Sequence, residues 1–282
     1  LGLFFFIDDK SIRVKAKRID FVGMLLTIAS ILVLMKLLDV VPSMRFFSIT
    51  IYLLSFLLCF SFWIWRHLQS PDAFLTVKLF RYKTYVLGCL FRMLLGFSYY
   101  NILYILGIFA QEVLHLKNIF AGAMYLPMTI MVALISIFYG RLAKKLDFTL
   151  LLKYALGVFS FAMLVLSLSL TSVVMMVVCL LALGAAYGIL YSCLFTLTLK
   201  QVGTANTSEA SGSLYFFNLV GGTIGVCVAG IIFSLHHSTS LNHTVFHAMH
   251  KITLACSILV FVCLILSVFL LQRDPGFTKL DS

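Results

Sequence analysis

Several polar and aromatic side chains occur at helical spacing inside otherwise apolar stretches of the chain. A guanidinium, an amide and tyrosine rings with their hydroxyls are groups that can hold an amphiphilic or charged small molecule in a hydrophobic setting. A charge or an amide in such a stretch is costly unless it is paired or faces water, so each is a candidate for a functional site. The candidate residues are Arg92, Tyr99, Tyr100, Asn101, Tyr187, Tyr191, Tyr215 and Asn218.

Arg92 is the one charge placed well inside an apolar stretch. In one interpretation it is an interfacial arginine, about two helical turns from the membrane surface, whose guanidinium snorkels to water. In the other it faces a substrate cavity, where it attracts an anionic group or pairs with a carboxylate from another part of the protein. The sequence leaves both alternatives open.

The tyrosines and the amide also have a purely structural interpretation. Gly184 and Gly188 form a small-xxx-small pair, as do Gly221 and Gly225, and such pairs allow two helices to approach closely. We expect these four glycines to serve helix packing. The tyrosines near them either line a cavity or fill helix contacts, and Asn218 either finds a partner on a neighbouring helix or faces water.

Other kinds of chemistry have little support. The chain has no phosphate-binding glycine loop and no hydrolase motif, so we expect neither an enzyme nor a cofactor. None of the ten acidic residues lies near the middle of an apolar stretch, so no proton-relay carboxylate is evident. The seven cysteines lie inside apolar stretches and are expected to be packing residues.

Five of the seven histidines lie in the polar stretch before the last apolar segment, which the pattern places in a loop. His243, His247 and His250 are spaced to share one helical face, an arrangement that would suit a metal site or a pH-responsive cluster. Because no cysteine or carboxylate accompanies them, we expect no bound metal.

Composition defines the environment that must position these residues. Of 282 residues, 62% are hydrophobic and 11% are charged, with a mean hydropathy of +1.09. A soluble domain carries roughly a quarter charged residues, so these values exclude a soluble globular protein and a nucleic-acid-binding module. The expected partner is the lipid bilayer, and no nucleic-acid partner is expected.

Apolar stretches long enough to cross a bilayer recur along the whole chain. A helix needs about 20 apolar residues to span the hydrocarbon core, and these stretches lack the alternation of a membrane β-strand. The fold class is therefore all-α, a polytopic bundle of eight transmembrane helices. The segments are 21–41, 46–65, 84–110, 119–139, 149–170, 172–198, 209–235 and 252–271.

Basic residues are distributed unevenly between the two sets of loops. Of the 21 lysines and arginines, fifteen lie in loops on one side of the predicted membrane and three in loops on the other. Basic residues accumulate in cytoplasmic loops, so both ends of the chain are expected in the cytoplasm. This also accounts for the net charge of +11 without nucleic acid.

The chain opens with seven apolar residues that follow no basic stretch, so they do not form a secretory signal. Seven residues cover about 10 Å as a helix, well below the membrane thickness. We therefore expect them to be the end of a preceding helix, and the chain to be a fragment of a longer protein.

Four stretches resemble the major facilitator superfamily. The loop at Gly140, Arg141, Lys144 and Lys145 is similar to the family's cytoplasmic loop motif in its second half. The stretches 209–212 and 221–226 resemble the penultimate helix of the fourteen-helix drug:proton antiporters of the EmrB/QacA type. The stretch 79–88 resembles the start of that family's ninth helix, and 20–23 the start of its two extra helices.

The resemblance implies a domain plan in which the chain is the family's C-terminal part. Two six-helix bundles would face each other across a central cavity, with substrate bound near the membrane midplane. The missing N-terminal transporter half is then an expected partner and would carry the coupling carboxylate. The plan comprises a helix end and basic linker at 1–19, two accessory helices at 20–66, a cytoplasmic linker at 67–83, a six-helix bundle at 84–272 and a cytoplasmic tail at 273–282.

The function implied is proton-coupled efflux of drugs or other amphiphilic small-molecule substrates by alternating access, in a cell membrane and most simply a bacterial inner membrane. Two alternatives stay open. The first is a transporter of one specific metabolite, because a fold does not determine its substrate. The second is a degenerate half-carrier or a scaffold fragment that does not transport.

Overall fold

The structure of the protein is a computed structural model that describes residues 21–40, 46–69, 77–143, 147–169, 172–202, 207–235 and 241–273. Within these ranges the chain is almost entirely helical and contains no β-strand, which confirms the prediction of an all-α protein. The helices are α1 (Phe21–Val40), α2 (Phe46–Gln69), a 3₁₀ helix (Val77–Arg81), α3 (Lys83–Glu112), α4 (Asn118–Ala123), α5 (Leu126–Leu142), α6 (Phe148–Leu168), α7 (Val173–Val202), α8 (Thr207–Leu235) and α9 (Leu241–Arg273).

Seven of the described segments, with α4 and α5 taken together, are long and apolar enough to cross a membrane. Helices are the expected form there, because a helix satisfies its own backbone hydrogen bonds and lipid offers none. The chain thus has the character of a multi-pass membrane protein. In α1 the apolar stretch Phe21–Leu37 is shorter, so eight spans remain a prediction.

The fourth predicted segment is divided into two helices. Helix α4 ends at Ala123 and α5 begins at Leu126, so Pro127 lies in the first turn of α5. Proline has no backbone N–H, so in a continuous helix it could not bond to the carbonyl oxygen four residues earlier. In the first turn of a helix that N–H has no such partner, and proline is tolerated there. The helix is therefore interrupted just before Pro127.

Helix α9 begins eleven residues before the limit predicted for the last apolar segment, at Leu241 instead of residue 252. His243, His247 and His250 therefore lie in a helix, and their placement in a loop was wrong. Polar residues can also form a helix. A search for apolar stretches therefore finds only the part of a helix that contacts lipid or the protein core.

Neighbouring contacts give the direction of each long helix from α3 onward. Helices α3 and α8 run parallel, because Tyr85 contacts Ser213 and the backbone of Phe97 faces Gly225. Helices α6 and α9 run antiparallel, because Ser160 contacts Ser257 while Ser167 contacts His250.

Similar contacts show that α5 is parallel to α7 and that α7 is antiparallel to both α3 and α6. The six spans therefore alternate in direction. One end of the bundle carries Arg81, Lys83, Arg141 and Lys200, and we call it the basic end.

Helix α3 occupies the centre of the bundle and packs on α7, α8 and α9. Helix α6 lies against α7 and α9, and α5 lies against α7. Helices α1 and α2 pack on each other, and α1 also contacts α8. This arrangement brings the predicted site residues of three helices, α3, α7 and α8, to one place.

Candidate functional site

Arg92 on α3 lies at the middle of the candidate site. It is ten residues into the helix, about 14 Å along the axis from Lys83 at the basic end. Its side chain is 0% exposed, and the guanidinium carbon lies 3.5 Å above the centre of the Tyr191 ring. The guanidinium therefore does not reach the surface, and the snorkelling interpretation of Arg92 is wrong.

Tyrosines from α3 and α7 form a stack beside this arginine. The rings of Tyr99 and Tyr187 are nearly parallel, with centroids 4.0 Å apart. Tyr100 meets Tyr99 edge to face at 5.5 Å, and Tyr191 lies 5.9 Å from Tyr187. Such contacts are favourable for aromatic rings beyond the area they bury. We call Tyr99, Tyr100, Tyr187 and Tyr191 the tyrosine cluster.

Asn218 on α8 joins the cluster through a hydrogen bond. The buried hydroxyl of Tyr187 donates to Asn218 Oδ1 at 3.3 Å. Of the two alternatives for Asn218, a partner on a neighbouring helix is the one the structure supplies. Because both side chains are buried, the bond links α8 to α7 inside the bundle.

Glycines let α3 and α8 come close enough to form this arrangement. A Cβ at Gly221 would collide with the carbonyl oxygen of Met93, and one at Gly225 would lie 2.5 Å from that of Phe97. Gly96 faces the carbonyl oxygen of Asn218, and Gly222 faces the ring of Tyr100. Helix crossings of this kind depend on backbone contact that any larger residue would prevent.

The second glycine pair lies on the other side of α7. A Cβ at Gly184 would collide with the carbonyl oxygen of Met128, and one at Gly188 would be 3.1 Å from that of Val132. These two glycines therefore hold α5 against α7, while Tyr187 and Tyr191 point toward α3. Helix α7 thus uses separate faces for packing and for the tyrosine cluster.

Asn101 and Tyr215 have no described contact with the rings of the tyrosine cluster. Asn101 is buried, its amide nitrogen lies near Gly225, and its Oδ1 accepts no hydrogen bond from the described residues. Tyr215 is 52% exposed on α8. The structure thus gathers six of the eight predicted site residues and leaves these two at its edge.

The loop motif is described in part. Gly140 has open space where a side chain would be, and Arg141 places its guanidinium 5.6 Å from the centre of the Phe138 ring. Lys144 and Lys145 lie outside the described residues. The motif therefore contributes to the basic end of the bundle at Arg141.

His250 belongs to a helix contact. Its Nδ1 lies 2.9 Å from Ser167 Oγ and 2.8 Å from the Ser167 carbonyl oxygen, so it connects α9 to the end of α6. Among the described residues no group of three histidines, cysteines or acids could hold a metal ion. His236 and His237 lie outside those residues.

One member of the site gave no signal in the sequence. Phe159 on α6 is fully buried, with its ring 6.4 Å from that of Tyr187. A phenylalanine in an apolar helix is unremarkable by pattern, and only the packing of α6 against α7 brings it here.

No family model matches the chain, and no curated protein sequence matches it significantly.

Proposed function

We propose that the chain is the C-terminal part of a membrane secondary transporter of the major facilitator type, which works by alternating access. The observation that carries the proposal is the buried Arg92 guanidinium on the face of Tyr191, beside the stacked rings of Tyr99 and Tyr187. Charged side chains inside membrane spans mark substrate or ion paths, because their burial is too costly to persist without a use. Aromatic faces suit amphiphilic ligands.

The arrangement of the helices supports the same proposal. The site residues come from α3, α7 and α8, and four of them (Tyr99, Tyr100, Tyr191 and Tyr215) remain at least partly exposed. A partner bundle of six helices would face these tyrosines and complete a cavity between the two halves, with α5 beside it. Alternating access would then be a rocking of one bundle against the other around the tyrosine cluster.

The distribution of charge supports an orientation in the membrane and a place for the coupling carboxylate. We assign the basic end of the bundle to the cytoplasm of a bacterial cell, which places both ends of the chain on that side of the inner membrane. The acids among the described residues of α3 to α9, Glu112, Asp147 and Glu209, lie at or just outside helix ends. A coupling proton would therefore use a carboxylate in the partner bundle, and the transported molecules would be amphiphilic drugs or similar compounds.

Dye efflux tests the proposal. The chain is expressed together with any upstream reading frame that encodes six further apolar segments, in cells deprived of their own exporters. Loss of a cationic, a neutral and an anionic dye is followed. We expect energy-dependent efflux of at least one dye with both parts present and none with the chain alone, because the cavity needs both bundles.

Matched variants separate a site effect from a folding effect. Tyr99→Ala removes a stacked ring of the cluster, and we expect it to reduce efflux by about tenfold, near the cost of one good aromatic contact. Tyr154→Ala removes a tyrosine that is 67% exposed on the outer side of α6, and efflux should be unchanged. If no such reading frame exists, or no dye leaves the cells, the degenerate or scaffold alternative replaces transport.

A further inference from the structure

Arg92 has hydrogen-bonding capacity that no described residue uses. Its Nε, Nη1 and Nη2 are all buried, and none of them has a hydrogen-bond partner among the residues that the structure describes. A guanidinium carries five N–H donors, and a buried donor without an acceptor is strongly unfavourable, more so when it is charged. An acceptor of Arg92 must therefore come from outside the described part of the chain.

The contact with Tyr191 leaves these donors free. The guanidinium carbon lies 3.5 Å from the centre of the Tyr191 ring, a contact with the π face that gives the N–H groups no oxygen acceptor. Stacking on an aromatic ring and bidentate binding of a carboxylate therefore use different parts of the same group. The three nitrogens of Arg92 are thus buried and keep their hydrogen-bonding capacity for an acceptor that the described residues do not supply.

The described carboxylates do not supply that anion. Glu112 is at the far end of α3, about 30 Å from Arg92 along the helix axis. Asp147 precedes α6 and Glu209 lies in the first turn of α8, both at the basic end. No described carboxylate bonds to a nitrogen of Arg92.

We propose that Arg92 binds the carboxylate of a small aromatic anion, whose ring packs on the tyrosine cluster. This inference rests on the proposed transport function and names its substrate class. Tyr191 is partly exposed and lies over the fully buried guanidinium, so the ligand would reach Arg92 only after side chains around it, Tyr191 among them, move. Tyr99 and Tyr100 are partly exposed next to it and offer ring faces to an aromatic ligand.

A carboxylate can come from two sources, a small molecule or an acidic side chain of the partner bundle. The tyrosine cluster favours the small molecule, because an aspartate or glutamate side chain has no ring to place against Tyr99 and Tyr100. The two sources also predict different results. The affinity for an added ligand depends on the charge of that ligand only if Arg92 binds the ligand itself.

Binding of matched naphthalene probes tests the proposal. The chain in lipid nanodiscs is titrated by calorimetry with 2-naphthoate and with 2-naphthylmethylammonium, which share a ring system and differ in charge. We expect 2-naphthoate to bind about tenfold or more tightly than the amine, the order of one charge-assisted contact. This comparison uses the unaltered protein and does not depend on a variant that folds.

Substitutions then assign the preference to Arg92. We expect Arg92→Gln to abolish the preference for 2-naphthoate with little change for the amine, and Arg92→Lys to retain part of it because the charge persists without the bidentate fork. Tyr154→Ala, on the outer side of α6, should leave both affinities unchanged. Equal binding of the two probes to the unaltered chain overturns the proposal, as does an undiminished preference in a folded Arg92→Gln variant.

The remaining outcomes separate this inference from the transport function. Dye efflux with no preference for 2-naphthoate overturns the anion site and leaves transport standing. A strong preference that depends on Arg92, with no efflux of any dye, supports the anion site and contradicts transport. An assembled transporter that is destabilised by Arg92→Gln but binds both probes equally assigns Arg92 to a protein carboxylate and overturns the proposal.

Discussion

Two pairs of helices, α3 with α8 and α1 with α2, differ in which of their residues are buried. At the crossing of α3 and α8, glycines bring the two backbones into contact, and large side chains of α3 such as Leu95 and Ile102 are buried in the core of the bundle. In the pair of α1 and α2, the residues that the structure describes as buried are small or polar, Gly23, Thr27 and Ser30, while large apolar ones such as Leu25 and Leu58 are exposed.

The difference shows what holds helices together in lipid. An exposed leucine costs little there because lipid tails are as apolar as leucine itself, so exposure of apolar side chains does not drive α1 onto α2. A close fit and hydrogen bonds must do so instead. The described bond between these helices runs from Trp63 Nε1 to Thr27 Oγ1, at 2.7 Å.

The largest effect is expected from adding a side chain at the crossing. Gly221→Val places branched carbons against the backbone of Met93, which cannot move as a flexible side chain could. We expect a loss of about 3 kcal/mol or more of unfolding free energy, or failure to fold. The measurements are monodispersity on size exclusion and unfolding in mixed micelles.

Its control is Gly122→Ala, since nothing lies within 4 Å of a Cβ at Gly122. That variant should be as stable as the parent. Equal behaviour of the two glycine variants would contradict the close crossing.

The same substitution in the two regions tests the comparison directly. Leu106 of α3 is 0% exposed and Leu58 of α2 is 72% exposed. We expect Leu106→Ala to lower the free energy of unfolding by about 2 kcal/mol or more, because a cavity remains in the packed bundle. Leu58→Ala should change it little, because lipid fills the space.

Unfolding of both leucine variants in mixed micelles measures the contrast. If Leu58→Ala is as destabilising as Leu106→Ala, then α2 has a partner on that face and the two regions are alike.

A smaller effect is expected at the hydrogen bond between α7 and α8. Asn218→Val removes the acceptor of the buried Tyr187 hydroxyl and should cost about 1 to 2 kcal/mol. The double variant with Tyr187→Phe removes the donor as well, so it should recover part of the loss. A double variant whose loss equals the sum of the single losses would show that the two side chains are not coupled.

The smallest effect is expected in the accessory pair. Trp63→Phe keeps an aromatic ring but loses the bond to Thr27, and interhelical bonds in membranes average about 0.6 kcal/mol. Phe62→Leu, an exposed position one residue away, is the control. A loss several times larger than this for Trp63→Phe would show that one bond determines the pairing of α1 and α2.

Much of the site could be predicted because polar groups are rare in apolar helices. Arg92, Tyr99, Tyr187 and Asn218 stand out on that ground alone, and the structure brings them together. The partner of each could not be predicted, because contacts depend on the rotation and crossing of separate helices. Phe159 was missed for the same reason.

The sequence by itself determined that this protein is helical and suited to lipid, because a long apolar stretch in a membrane must satisfy its own backbone. It also determined which residues are too polar to lie in lipid without a partner. Only the tertiary structure decided that Arg92 is buried against Tyr191, with no hydrogen bond from its nitrogens to the described residues. That outcome depends on how closely α3, α7 and α8 approach, which is set by glycines whose neighbours are distant in the chain.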